Sequence, residues 1–219
     1  MFDDYSNLNN RVIKALKGTT TVGVVCKDGI VLATDRRATA GYFVASKRAQ
    51  KIFPLDQHIA ATIAGRVADA QTIMDYARAE ISLYRLQEGM SIRIHSAARM
   101  VANILFNARY FPYLLQAIVA GVDDLGPKMF NLDPIGSLTE EAYLSTGSGS
   151  PIAYGILENN YKEDILLKEG LPLAVASVWA AIARDAGTGN GVNAVTITTE
   201  EGVKELTEEE IAKIPQKLS

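Results

Sequence analysis

The run Lys17-Gly18-Thr19-Thr20-Thr21-Val22-Gly23 constrains this chain more than any other. One glycine precedes three consecutive β-branched hydroxyl residues, which open an apolar strand through Val24, Val25 and Cys26. β-Branched side chains favour extended backbone, so a strand begins close to Thr19. Residues 1–17 ahead of it are short, polar and poorly patterned. The layout predicts a removable leader, residues 1–18, joined to a single domain, residues 19–219. Cleavage between Gly18 and Thr19 would give Thr19 a free α-amino group beside its own hydroxyl. Nucleophile and base on one residue is a recognised way of activating threonine.

The length of 219 residues suits one domain with a substantial core, with or without the leader. Hydrophobic residues at 48% and charged residues at 21% are those of a soluble globular chain. A net charge of −3 gives no reason to expect nucleic acid or an acidic membrane as partner. Asp3 and Asp4 open the leader, which has no sustained apolar core, so it does not read as a signal peptide. No apolar run reaches the length of a membrane span, and a cytoplasmic location is expected. The single cysteine, Cys26, excludes an internal disulfide and reads as a small buried hydrophobe. His58 and His95 share no metal-ligand spacing, so neither a metal site nor histidine-based catalysis is expected, and no cofactor is implied.

Strands are expected at residues 19–26, 30–36, 42–47, 50–54 and 58–64, with a hairpin turn at Lys27-Asp28-Gly29. Residues 66–87 and 92–108 carry helical periodicity. Residues 114–122 are continuously apolar, Asp123-Asp124-Leu125-Gly126 is a turn, and residues 129–132 and 142–146 are strand-like. Two further helices are expected, one opened by Gly147–Pro151 and running to about residue 159, the other at residues 172–184 and apolar nearly all round. A strand at residues 192–198 precedes a short helix at residues 207–214, capped by Thr207 with Glu210. Strands joined by hairpin-sized connections and interrupted by two helix pairs predict an α+β fold of four layers, two antiparallel sheets between helices.

Gly147-Ser148-Gly149-Ser150-Pro151 lacks the lysine of a phosphate-binding loop and the frame of a serine-hydrolase elbow, and reads as a tight turn. Read alone, Asp35 before Arg36-Arg37 is a surface ion pair and Lys51 a snorkelling cation. Asp185 at the end of a buried helix is less ordinary, since a helix C-terminus disfavours an acid.

Together these residues resemble the catalytic β subunits of archaeal 20S proteasomes, over essentially the whole chain. The markers are the Gly18–Gly23 run, Lys27-Asp28-Gly29, Ala33-Thr34-Asp35-Arg36-Arg37, Ser46-Lys47 leading to Lys51, Ala64-Gly65 with Asp69-Ala70-Gln71, and Ser145 through Pro151. The resemblance implies an N-terminal nucleophile hydrolase fold and a propeptide that ends at Gly18 and is cut autocatalytically. It implies Thr19 as nucleophile, Asp35 and Lys51 as its acidic and basic companions, and the Gly65 amide as oxyanion donor. Ser148 and Asp185 match the residues that hold the threonine amine. Thr188 stands where the family commonly has serine, and keeps the hydroxyl. The positions matching the specificity pocket are Ala38, Ala49, Phe53, Ile63, Val67 and Gln71. No acid is among them, so cleavage after bulky apolar residues is expected.

The implied activity is that of a threonine endopeptidase acting on unfolded polypeptides. The implied partners are other β subunits in a seven-membered ring, α-subunit rings, and a regulatory ATPase reached through the α ring. The alternative is a non-catalytic subunit of the same ring. The bacterial two-ring relative is a third reading, which the turn at Gly147–Pro151 fits less well.

Overall fold

A computed structural model describes residues 18–216. The expected leader, but for its last residue Gly18, lies outside the described residues.

β1 (Thr21–Cys26) and β2 (Gly29–Asp35) form the expected hairpin across Lys27-Asp28. β3 (Ala38–Ala40) and β4 (Phe43–Ser46) pair as a separate two-stranded ribbon. β5 (Ile52–Asp56) and β6 (Ile59–Gly65) lead to α1 (Val67–Glu88) and α2 (Ile94–Asn107). β7 (Leu115–Asp123), β8 (Gly126–Leu132), β9 (Leu138–Glu140) and β10 (Tyr143–Thr146) follow. Then come α3 (Ser150–Asn160), α4 (Leu167–Ile182), β11 (Val192–Thr198), β12 (Gly202–Glu205) and α5 (Glu208–Ala212).

One sheet has the order β10-β1-β2-β11-β12 and the other β5-β6-β7-β8-β9, antiparallel throughout. The side-chain period of two divides each inner strand between two cores. On β2, Ile30 and Leu32 pack between the sheets, while Val31 and Ala33 pack under α3 and α4. On β7, Ile118, Ala120 and Val122 face the intersheet core, while Leu115, Ala117 and Val119 face α1 and α2. Burial on both faces is why residues 114–122 read as an unbroken apolar run. Three cores between four layers make the expected sandwich.

The differences from the sequence reading are local. The helix expected from Pro172 begins at Leu167, one and a half turns earlier. Proline usually opens a helix, but here it sits inside one, at the cost of one bond to the preceding turn. The true start is set by Asp28, whose Oδ1 accepts from Leu167 N at 2.8 Å, and by Glu169, which reaches back to Leu166 N. β3, β9 and β12 are three or four residues long, too short to show alternation in sequence. His58 lies in the turn before β6 rather than in the strand, its Nε2 3.3 Å from Thr199 O. Cys26 is buried as expected, and that burial, followed by the charges of Asp28 and Glu169, pushes its thiol up to about 12. The Thr207–Glu210 capping box is formed in both directions. Among the described residues no helix is long and apolar enough to cross a membrane.

Candidate active site

Thr19 precedes β1, whose pairing with β2 and β10 fixes the direction in which the chain enters the sheet. The residue is 7% exposed, and its Oγ1 donates to Gly18 O at 2.8 Å. The hydroxyl thus sits on the carbonyl of the bond expected to be cut. Gly18 has φ +104°, and a Cβ there would lie 2.2 Å from Thr39 Oγ1. Glycine is required on both counts.

Two arms of polar side chains converge on this point. The first is Asp35 and Lys51. Asp35 ends β2, completely buried, and its Oδ1 accepts Lys51 Nζ at 2.6 Å and Thr20 N at 3.0 Å. Its Oδ2 accepts Arg37 N at 3.0 Å and Gly189 N at 2.9 Å. The carboxylate's bonding capacity is filled by one cation and three backbone donors, which is what a buried charge requires. Burial holds the Lys51 ammonium below the usual lysine range. The charge and hydrogen bond of Asp35 and the charge of Asp185 oppose that shift, and Arg37 adds to it.

The second arm is Ser148, Asp185 and Thr188. Ser148 follows β10, and Asp185 and Thr188 lie in the loop after α4. Asp185 Oδ2 accepts from Ser148 Oγ and from Thr188 Oγ1, each at 2.5 Å. With its own proton committed to Asp185, Ser148 Oγ accepts Gly18 N at 3.1 Å and Thr19 N at 3.4 Å. The second arm therefore holds the nitrogen of Thr19. Thr188 is 1% exposed, so its extra methyl is accommodated. The turn at Gly147–Pro151 runs against the same residue, Gly149 N lying 3.4 Å from Thr19 O.

A cavity of about 60 Å³ opens beside the hydroxyl. Gly18, Thr19, Ala38, Ala49, Lys51, Phe53, Ile63, Gly65 and Val67 all line it. Five of the six pocket positions expected from sequence are thus brought together with Thr19, Lys51 and Gly65. Gln71, one turn beyond Val67 on α1, is exposed and is not among the lining residues; Thr39, Gln50 and Ala70 are.

The surface ion pair suggested by Asp35-Arg36-Arg37 does not form. Arg36 bonds Asn193 and Glu208, and Arg37 bonds Asn190 Oδ1 and Ala186 O in the Asp185 loop. Sequence reasoning passed over Arg37, Thr20 and Thr39. The signal for Thr20 was present, as the middle member of the hydroxyl run.

Two stacked antiparallel sheets between helix pairs, with the first strand entered just after Thr19, are the sandwich of the N-terminal nucleophile hydrolase fold. The family model described as "Proteasome subunit" matches residues 15–197. The chain is 49% identical to the proteasome subunit beta of Methanothermobacter thermautotrophicus, covering 90% of this chain and 94% of that protein. It is 48% identical to that of Ferroglobus placidus, with 94% and 98% covered. It is 49% identical to that of Methanopyrus kandleri, with 90% and 95% covered. The chain belongs to the proteasome subunit family and is a homologue of archaeal proteasome β subunits.

Proposed function

We propose that this chain is a threonine endopeptidase, a catalytic β subunit of a 20S core particle. The observation that carries the reading is the convergence of both polar arms and the cavity on Thr19, whose hydroxyl bonds Gly18 O at 2.8 Å.

Residues 1–18 are a propeptide in this reading. While it is attached, Thr19 N is an amide without basicity, and the chain is inert toward substrates. Once the bond is cut, the amine has an ordinary pKa of about 7.7–8.0, suited to a general base at neutrality. Thr19 Oγ1 attacks a peptide carbonyl, and its proton passes to the amine directly or through water. Lys51 supplies positive charge to the developing alkoxide, and Asp35 keeps it charged and oriented. The Gly65 N–H stabilises the tetrahedral oxyanion. The leaving amine takes the proton, and water hydrolyses the ester on Thr19. Ser148 and Asp185 hold the amine, with Thr188 in the role of the commoner serine.

The cavity is lined mainly by apolar residues, with Thr19, Thr39, Gln50 and one cation, Lys51, and no acid. A basic side chain entering it would lose hydration without gaining a counter-charge. Cleavage after apolar residues follows. The substrates are unfolded polypeptides and the location is cytoplasmic. The partners are β subunits in a seven-membered ring, α-subunit rings, and a regulatory ATPase acting through the α ring. No cofactor is needed.

The test is N-terminal sequencing of assembled particles, with mass spectrometry after labelling by a peptide epoxyketone or boronate. Mature chains beginning at Thr19 and modified there are expected. Assembled particles whose chains keep the leader and take no label would make this a non-catalytic subunit.

A further inference from the structure

We infer that Thr20 is a positioning residue that ties the two polar arms of the active site to each other. The inference rests on the threonine-peptidase reading above.

Thr20 is completely buried and touches both arms through different atoms. Its backbone N–H donates at 3.0 Å to Asp35 Oδ1, the oxygen that also holds Lys51 Nζ. Its side-chain Oγ1 lies 2.7 Å from Thr188 Oγ1. The direction of that second bond follows from proton counting. Thr188 has one hydroxyl proton, committed to Asp185 Oδ2 at 2.5 Å. The proton between the two threonines must then come from Thr20. Ser148 commits its own proton to the same carboxylate oxygen and is left to accept from Thr19 N. Every hydroxyl proton of this arm points toward Asp185, and the chain of donors begins at Thr20.

The surrounding backbone is shaped for this pair of hydroxyls. A Cβ on residue 149 would fall 2.1 Å from Thr20 Oγ1 and 3.2 Å from Thr188 Oγ1. Glycine at 149 leaves room for the pair, which gives the middle of the Gly147–Pro151 turn a role. Buried hydroxyls left without partners are costly, so the pair fixes the Thr188 rotamer and with it the orientation of Asp185. Because Thr20 follows the nucleophile directly, a shift of either arm is passed to the other through one residue.

The test is made on assembled, processed particles with a fluorogenic peptide, comparing wild type with Thr20→Val, Thr20→Ser, Thr188→Val and the Thr20→Val/Thr188→Val double variant. Intact mass establishes that each begins at residue 19. Thr20→Val, which keeps the shape and the backbone N–H, should lower kcat roughly tenfold with KM unchanged. Thr20→Ser should restore most of kcat. The double variant should be no slower than Thr188→Val alone, because both changes break the same bond. Should Thr20→Val not assemble, Thr188→Val carries the comparison against Thr188→Ser, with the loss expected in the first and absent in the second. Thr20→Val turning over at the wild-type rate, fully additive losses in the double variant, or equal losses in Thr188→Val and Thr188→Ser would each overturn the inference. Wild type that is processed but neither cleaves peptide nor labels at Thr19 would instead overturn the peptidase reading itself.

Discussion

Lys51 Nζ lies 2.6 Å from Asp35 Oδ1, with Lys51 side-chain exposure at 8% and Asp35 at 0%. A pair this deeply buried contributes little net stability, but removing one member leaves an uncompensated charge. Asp35→Ala should therefore lower stability by about 3–5 kcal/mol, read from chemical denaturation. An effect below about 1 kcal/mol would place the pair in the class of exposed ion pairs instead.

The same pair sets a pH dependence. Burial lowers the Lys51 pKa from its ordinary 10.5. In the window between the lowered value and 10.5, the unfolded chain binds more protons than the folded one. This group's contribution to stability therefore rises with pH across that window. If catalysis needs the Lys51 cation, the alkaline limb of kcat falls below the range of free lysine. Asp35→Asn removes the charge that opposes the shift, and should move that limb to still lower pH in a kcat–pH profile. A limb that stays in place would separate Lys51 from the chemistry.

Gly18→Ala places a methyl 2.2 Å from Thr39 Oγ1 at a backbone φ of +104°. Leader removal should slow by about five- to thirtyfold, since strain of the order of 1–2 kcal/mol falls on the reacting carbonyl. Adding Thr39→Ala relieves the contact but not the backbone conformation, so rescue should be partial. Time-resolved intact mass measures both.

The cavity predicts specificity. Ala49→Glu would add an acid to a lining that holds none. Cleavage after arginine should rise relative to cleavage after leucine in a fluorogenic panel. A wild-type preference for arginine would contradict the apolar reading of the pocket.

Much of this was legible in the chain, because the strongest signals are local. The unbroken apolar runs of β2 and β7, the helical period of α1 and α2, and the Thr207–Glu210 box depend on residues close in sequence. Pro172 misled because the residue that fixes the start of α4, Asp28, is 139 positions away from Leu167. Asp35 read as an ion-pair partner of the adjacent arginines, but Arg37 gives it only a backbone N–H; its charged partner, Lys51, lies just before β5 and its other donors are Thr20 N and Gly189 N. The Thr20–Thr188 bond spans 168 residues and has no local signature. Placing Lys51 and Asp185 beside Thr19 needed the family resemblance: Lys51 has the local pattern of a surface cation, and the unusual place of Asp185 at a helix C-terminus does not say what it faces.

Whether activity resides only in chains cut before Thr19 is decided by mixing leader-bearing and processed chains in known proportion. Thr19→Ala particles, in which neither self-cleavage nor turnover is expected, set the background. Peptide turnover and epoxyketone incorporation are then plotted against the fraction of chains whose measured mass begins at Thr19. Both should fall on a line through zero: each cut chain adds one active site, and uncut chains add none. Turnover by particles whose chains all still carry residues 1–18 would contradict it.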